Sequence, residues 1–491
     1  DDTDPLLGDE AEDGDCDGAL TADDCDDTDP LLGDEAEDGD CDGTLTADDC
    51  DDTDPTSFLG ATEIVGDGID QDCDGEDDIT CIGDFNYTDA EHCAVVTGNL
   101  WIEGMGTTDL ALVHSLQEVG GDLTISNPVL TNIDGLPSLT SVGGDLTISG
   151  TAVTNIDGLP SLTSVGGNLG IYGNDALTNI DGLESLTSLG GGLSIASNPV
   201  LTNIDGLPSL TSVGGDLGIG GTDVDGDGYD DFIYGNDALT NIDGLPSLTS
   251  VGGDLSIYSN DALANIDGLA SLTSVGEDLS IYSNDALTNI VGLASLTSVG
   301  GDLSIYYNYA LANTDGLASL TSVGEDLTFN DTALTNIDWM ASLTSVEGYM
   351  YIRNNFTLTN IDGLASLTSV EGTLYFANNT ALTNIDGLAS LTSVGGSLYI
   401  SGNAALTNTD GLASLTSVGI TLGIYANNTL TNIEGFESLT SLEYLVIADH
   451  DALTNIDGLA SLTSVENYVS IKNNHTLTNI DGLASLTSVG A

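Results

Sequence analysis

The sequence predicts an all-β fold, a β-solenoid of about 16 turns of 23–24 residues, on three observations. The first is a repeat. The unit LTNIDGLASLTSVGGDLSIYSNDA recurs over residues 107–491, and the Asn of its opening step marks fifteen copies, from Asn132 to Asn479. The second is the apolar spacing within a unit. In the copy at Leu287 the apolar residues are Leu287, Ile290, Leu293, Leu296, Val299, Leu303 and Ile305. Steps of three suit short 3₁₀-like bends, and Leu303 and Ile305 alternate with polar neighbours as a half-buried strand does. The third is glycine at 292, 300 and 301, which punctuates the corners. Such a coil turns its apolar residues inward, and stacked coils share one continuous core. At a strand spacing of about 4.8 Å the coils make a rod roughly 75 Å long.

The formal net charge is −78, from 80 acidic residues against Arg353 and Lys472. A chain this acidic is repelled by nucleic-acid phosphates and by anionic membrane surfaces. The hydrophobic fraction of 40% argues against plain disorder, so cations belong to the design. No apolar run reaches the roughly 18 residues of a membrane span.

Two further regions precede the coils. Residues 81–106 hold Cys81, Cys93 and Trp101 and read as an N-terminal cap. Residues 1–80 open with two 25-residue units that differ only at Ala19 and Thr44, followed by a third DDTDP at Asp51. Little in this head can form a core, so it needs ligands or cross-links to fold.

All seven cysteines lie between Cys16 and Cys93, which reads as a disulfide framework formed in an oxidising compartment. Pairing within units gives Cys16–Cys25, Cys41–Cys50 and Cys81–Cys93. Pairing across units gives Cys25–Cys41, Cys50–Cys73 and Cys81–Cys93, and is preferred. With a start at Asp1 rather than Met, the chain reads as processed or truncated, and as extracellular: secreted, at a cell surface, or in a matrix or filament.

The repeat pattern LxxVxxxLxIxxNxxLxxI resembles the leucine-rich-repeat superfamily, and more closely the receptor L-domain type. The resemblance covers residues 95–491 and implies a right-handed coil with an internal ladder of Asn side chains. Asn127, Asn174, Asn198, Asn260, Asn284 and Asn308 fill that place.

Metal chemistry is expected at four loops. The insertion TDVDGDGYDDFIYG at 221–234 puts Asp223, Asp225 and Asp227 at alternate positions before Gly228, with the Tyr229 carbonyl and Asp231 following. Ca2+ takes six to eight oxygen ligands, and such a loop converges them. It resembles the calcium loops of FG-GAP repeats and EF-hands. The head repeats this logic in Asp13, Asp15, Asp17 and Asp24, in Asp38, Asp40, Asp42 and Asp49, and in Asp70, Asp72, Asp74 and Asp78. Its DCDDTDP and GATEIVGDGIDQDCDG segments resemble the MopE-type metal-binding motif of bacterial surface proteins. Val65 and Gly66 stand where that motif often has Cys.

Six N-x-[ST] sequons mark Asn86, Asn330, Asn355, Asn378, Asn427 and Asn474 as candidate glycosylation sites. The histidines, His92, His114, His450 and His475, lie far apart, and His450 reads as an exposed turn residue. No nucleophile, phosphate-loop or zinc-protease motif is present, so the chain reads as a non-enzyme. The Thr rows read as structural. Repeating Asp residues, among them Asp134, Asp157 and Asp181, and Asp122, Asp145, Asp216 and Asp254, form rows. Like charges about 4.8 Å apart repel by about 0.9 kcal/mol at water's dielectric constant.

The functional expectation is a calcium-binding structural protein of a cell surface or matrix, self-associating through its head repeats or head to tail into a fibre. An end in mid-repeat, at SLTSVGA, favours such docking, the alternative being that Ala491 is a truncation point. The alternative is an adhesin or receptor-like ectodomain that binds a protein or glycan through Tyr258, Tyr282, Tyr306 and Tyr307.

Overall fold

A computed structural model describes residues 50–51, 53–58, 61, 69–71, 73, 79–104, 106–220 and 235–490. From Ile79 onward they form a parallel β-solenoid of about 16 turns, with no α-helix among the described residues. A typical turn carries a two-residue strand and a four-residue strand. In the turn at Leu287 these are Ser298–Val299 and Leu303–Tyr306. The steps of three become 3₁₀ turns, such as Val291–Leu293.

The same residue types stack in register from coil to coil. Leu279 pairs with Leu303 and then Leu327, and Ile281 with Ile305 and then Phe329. Each long strand pairs only with those of the coils before and after it. They therefore form one open ladder, from Phe85–Asn86 to Ser464–Lys472. The short strands form a second ladder, from Ile79–Cys81 to Ser322–Val323 and again from Ser345–Val346 to Ser417–Val418. In Ser441–Ala448 and Ser464–Lys472 the short and long strands merge into one.

The stacking buries the leucine pattern. Leu287, Ile290, Leu293, Leu296, Leu303 and Ile305 are fully buried, and one core runs from Cys81 to Val465. Close coil approach is set by the glycine of the IDGL step. A Cβ at Gly268 would lie 1.8 Å from the Ile242 carbonyl oxygen, so only glycine fits there.

Polar ladders hold the coils together. After most long strands one residue adopts a left-handed conformation, as at Ser259 (φ +56°), Ser283 (φ +54°) and Asn354 (φ +57°), and the next side chain turns inward. That next residue is the ladder asparagine. The Asn260 Nδ2 donates to the Ile219 carbonyl (3.0 Å), and its backbone N–H donates to Asn284 Oδ1 (3.2 Å). Buried amides are thereby satisfied without water. The ladder also contains Asn236, Asn355, Asn379, Asn403 and Asn427, with Thr151 and Thr332 as substitutes. The Thr rows are structural too: Thr297 Oγ1 donates to the Thr273 carbonyl and Thr321 Oγ1 to the Thr297 carbonyl.

This geometry corrects two expectations. His450 is not an exposed turn residue but is fully buried in the asparagine ladder. Asn355 and Asn427, 1% and 0% exposed, commit their amides to the same ladder and leave no room for a glycan. Asn330 is 5% exposed, and Asn474 spends both halves of its amide on Ile447 and His450. Asn86 and Asn378 are exposed.

Candidate ligand-binding face

The long-strand ladder has a buried face and an outward face, because alternate residues of a strand point to opposite sides. In Asp254-Leu255-Ser256-Ile257-Tyr258, Leu255 and Ile257 are fully buried, while Asp254, Ser256 and Tyr258 face outward. Repetition turns these three positions into three rows along the rod.

The first row is acidic over the N-terminal coils. Its carboxylates are also backbone acceptors. The Asp254 N–H donates to Asp216 Oδ1 (3.0 Å), Asp278 N–H to Asp254 (2.8 Å), Asp302 N–H to Asp278 (2.7 Å) and Asp326 N–H to Asp302 (2.7 Å). Burial first, then the charges of Asp278 and Asp326, hold the Asp302 carboxyl above the usual range, against the Asp326 N–H that lowers it. Asn168 fills the same place and accepts the Gly192 N–H at 2.6 Å. Further C-terminal the row turns neutral. The Tyr349 N–H still bonds to Asp326, but the next acceptors are hydroxyls, Thr373 Oγ1 for the Ser397 N–H and Ser397 Oγ for the Thr421 N–H.

A separate row, at the IDGL step, leaves its carboxylates to solvent while their N–H groups cap onto the preceding Asn, as Asp181 does on Asn179 Oδ1 (3.2 Å). Partial burial, then the flanking carboxylates Asp181 and Asp134, raises the Asp157 pKa. Asp205 is raised in the same way, with Asp243 and Asp181 as neighbours.

Tyrosines collect in two clusters on the outward face. Tyr258, Tyr282 and Tyr306 stack in parallel, with ring centroids 4.6 and 4.7 Å apart, and Tyr307 packs edge-on against Tyr306. A groove of about 640 Å³ runs from this stack to Tyr172 over Gly170, Ser194 and Gly218. The second cluster is Tyr351, Tyr375, Tyr399 and Tyr425, with centroids 6.1, 5.6 and 6.2 Å apart and edge-to-face packing at both Tyr375 contacts. With Thr373 and Ser397 these rings line a groove of about 370 Å³. A Cβ at Gly423 would meet Tyr399 Cδ1 at 2.5 Å and Tyr425 Cε2 at 2.6 Å, so glycine there seats both rings against the sheet. Burial first, then the neighbouring phenols, raises the Tyr425 pKa.

Sequence reasoning found the first cluster and missed the second. The signal was present: MYI, LYF and LYI place Tyr at the second strand position in three successive coils.

The expected metal ligands lie mostly outside the described residues. Asp13, Asp15, Asp17, Asp24, Asp38, Asp40, Asp42, Asp49, Asp72, Asp74 and Asp78 do so, as do Asp223, Asp225, Asp227, Tyr229 and Asp231; Asp70 is described. Among the described residues no three metal-ligating side chains come together. Cys50 is bonded to Cys73 (Cα–Cα 5.4 Å) and Cys81 to Cys93 (5.7 Å); Cys25 and Cys41 lie outside. Bonded sulfurs cannot act as thiolate ligands, so Cys50 and Cys73 leave the oxygen donors of their motif as its candidate ligands.

Three family models match parts of the chain. Residues 49–78 match a MopE-type family described as "Putative metal-binding motif", residues 92–166 match the receptor L domain, and residues 304–422 match six copies of the BspA-type leucine-rich repeat region. No curated protein matches the chain. Among solved structures, the chain is similar to an internalin (InlF) from Listeria monocytogenes, at 18% identity over 80% of this chain and 86% of that one, with a TM-score of 0.36. It is also similar to a leucine-rich repeat protein from Bacteroides ovatus, at 16% identity over 69% of this chain and 82% of that one, with a TM-score of 0.19. Among the described residues no helix is long and apolar enough to cross a membrane. The chain is a parallel β-solenoid whose segments are similar to the receptor L domain and to BspA-type leucine-rich repeats, with a segment similar to a MopE-type metal-binding motif near its N-terminal end.

Proposed function

We propose that the chain is an extracellular recognition protein of a cell surface or matrix, a binding module rather than an enzyme. Its rod presents the outward face of the long-strand ladder to a macromolecular ligand, and its head motifs and the 221–234 insertion hold Ca2+. The placement of the tyrosines carries this reading. Ser, Thr or Gly occupies the same outward positions in other coils, at Ser149, Thr147, Gly218 and Ser401, with the same strand geometry. The fold therefore does not require Tyr there. The cluster tyrosines of the long strands are half-buried, and such tyrosines give large contact area at small entropic cost, as binding surfaces need.

The test is retention of the whole chain on a panel of immobilised proteins and polysaccharides in Ca2+. The comparison is a variant with Tyr282→Ser, Tyr306→Ser, Tyr375→Ser and Tyr399→Ser, with folding checked by circular dichroism. Loss of retention in the folded variant is expected. Equal retention overturns the reading. Self-association into a fibre is distinguished by electron microscopy in Ca2+, where filaments rather than single rods support it.

A further inference from the structure

The two tyrosine clusters differ in charge, and the difference assigns a ligand class to one of them. Beside Tyr258, Tyr282 and Tyr306 the first outward row is Asp254, Asp278 and Asp302. Beside Tyr351, Tyr375, Tyr399 and Tyr425 the same row is Tyr349, Thr373, Ser397 and Thr421. A chain of net charge −78 thus has an aromatic groove whose lining carries no ionisable acid or base other than the tyrosine phenols.

The hydroxyls of that groove are oriented by the backbone. Thr373 Oγ1 and Ser397 Oγ each accept a backbone N–H from the next coil, at 3.2 and 3.3 Å. An oxygen that accepts such a bond still has its O–H proton to donate. The groove therefore offers hydroxyl donors on its floor and phenol groups and ring surface on its walls. Tyr351, Tyr375 and Tyr399 share one outward row over three successive coils, with centroids 6.1 and 5.6 Å apart, so the groove runs along the rod, and Tyr425 closes it from the next coil. A basic peptide finds no carboxylate in this lining, and a polyanion is repelled by the rest of the rod.

We infer that the groove formed by Tyr351, Tyr375, Tyr399, Tyr425, Thr373 and Ser397 binds a neutral polysaccharide laid along the rod. The C–H faces of its sugars rest on the tyrosine rings, and its hydroxyls bond to Thr373, Ser397 and the phenols. This rests on the reading of the outward face as a recognition surface and names the ligand of one part of it.

Affinity gel electrophoresis of the whole chain tests it, with β-glucan, mannan, galactan and xylan as neutral probes and a sulfated glycan as comparator. At least one neutral polysaccharide is expected to retard the chain and the sulfated glycan not to. Tyr375→Ser with Tyr399→Ser, residues that other coils carry at this position, should weaken retardation at least tenfold. Tyr309→Ser, exposed outside the strands and not part of the groove, should leave it unchanged. Gly423→Ala, which displaces the Tyr399 and Tyr425 rings, should weaken it with the tyrosines intact. Retardation by no neutral polysaccharide, or equal retardation of the Tyr375/Tyr399 variant, overturns the inference. If protein ligands are still captured through Tyr282 and Tyr306, the inference alone falls and the recognition reading stands.

Discussion

The Asn427 backbone N–H donates to His450 Nδ1 at 3.2 Å, in the register where other coils present an asparagine Oδ1. His450 Nε2 lies 3.1 Å from the Ile424 carbonyl, replacing the asparagine Nδ2–H. These partners place the proton of the neutral ring on Nε2. Burial lowers the His450 pKa, against the carbonyls of Asn427 and Ile424 and the charges of Asp449 and Asp451, which raise it. A depressed histidine supports the fold above its ordinary value of 6.5, and that support is lost as pH falls through and below it. Melting of His450→Asn and wild type should diverge below that pH, the wild type losing more. His450→Ala leaves the Asn427 N–H unpaired and should cost about 1–3 kcal/mol at neutral pH.

The carboxylates act in the opposite direction. Asp157, Asp205, Asp261 and Asp302 are raised by burial and then mainly by like-charged neighbours, so the folded chain takes up protons more readily than the unfolded one. Their contribution is greatest below the ordinary value of 3.8 and is lost as pH rises through their raised values. Melting of His450→Asn, which lacks the histidine effect, should therefore rise on mild acidification.

Asp302 separates charge from hydrogen bonding. Asp302→Asn keeps an acceptor for the Asp326 N–H, as Asn168 does for Gly192, and removes one charge from the row. Its melting temperature should exceed that of wild type at low salt, and the gap should close as salt screens the row. Asp302→Ala removes the acceptor and should fall below Asp302→Asn by about 1 kcal/mol.

Coil approach is the least tolerant feature. Gly268→Ala places a methyl group 1.8 Å from the Ile242 carbonyl oxygen, so adjacent coils must part. A loss above about 3 kcal/mol in denaturant unfolding is expected, against about 2–5 kcal/mol for Leu296→Ala, which empties a buried leucine site.

Calcium should act on the head. Proteolysis within residues 1–80 should be slower in Ca2+ than in chelator, and Asp70→Asn with Asp72→Asn should remove the difference. Mass mapping of the fragments checks both, and cleavage that ignores Ca2+ would count against the site.

The coil was legible because each repeat states the same pattern again. Leu303 and Ile305 alternate, the leucine steps are three apart, and Gly292 recurs at one corner. The ladder was legible where Asn follows a consensus strand, as at Asn260. It was hidden at Asn355 and Asn427, where a sequon and a ladder position are the same letters, and at His450, whose ring reproduces an amide's donor and acceptor. Only the left-handed residue before the ladder position separates exposed Asn378 from buried Asn379. The second tyrosine groove was missed because its walls come from four coils and its seat, Gly423, is the absence of a side chain.

Hydroxyl-radical footprinting of the tyrosines, with and without the ligand retained in the panel, tests the recognition face most directly. Oxidation of Tyr282, Tyr306, Tyr375 or Tyr399 should fall on binding, while Tyr309 and Phe356, 62% and 57% exposed outside the strands, should not change. Protection of Tyr309 and Phe356 with the four outward tyrosines unchanged would contradict the account.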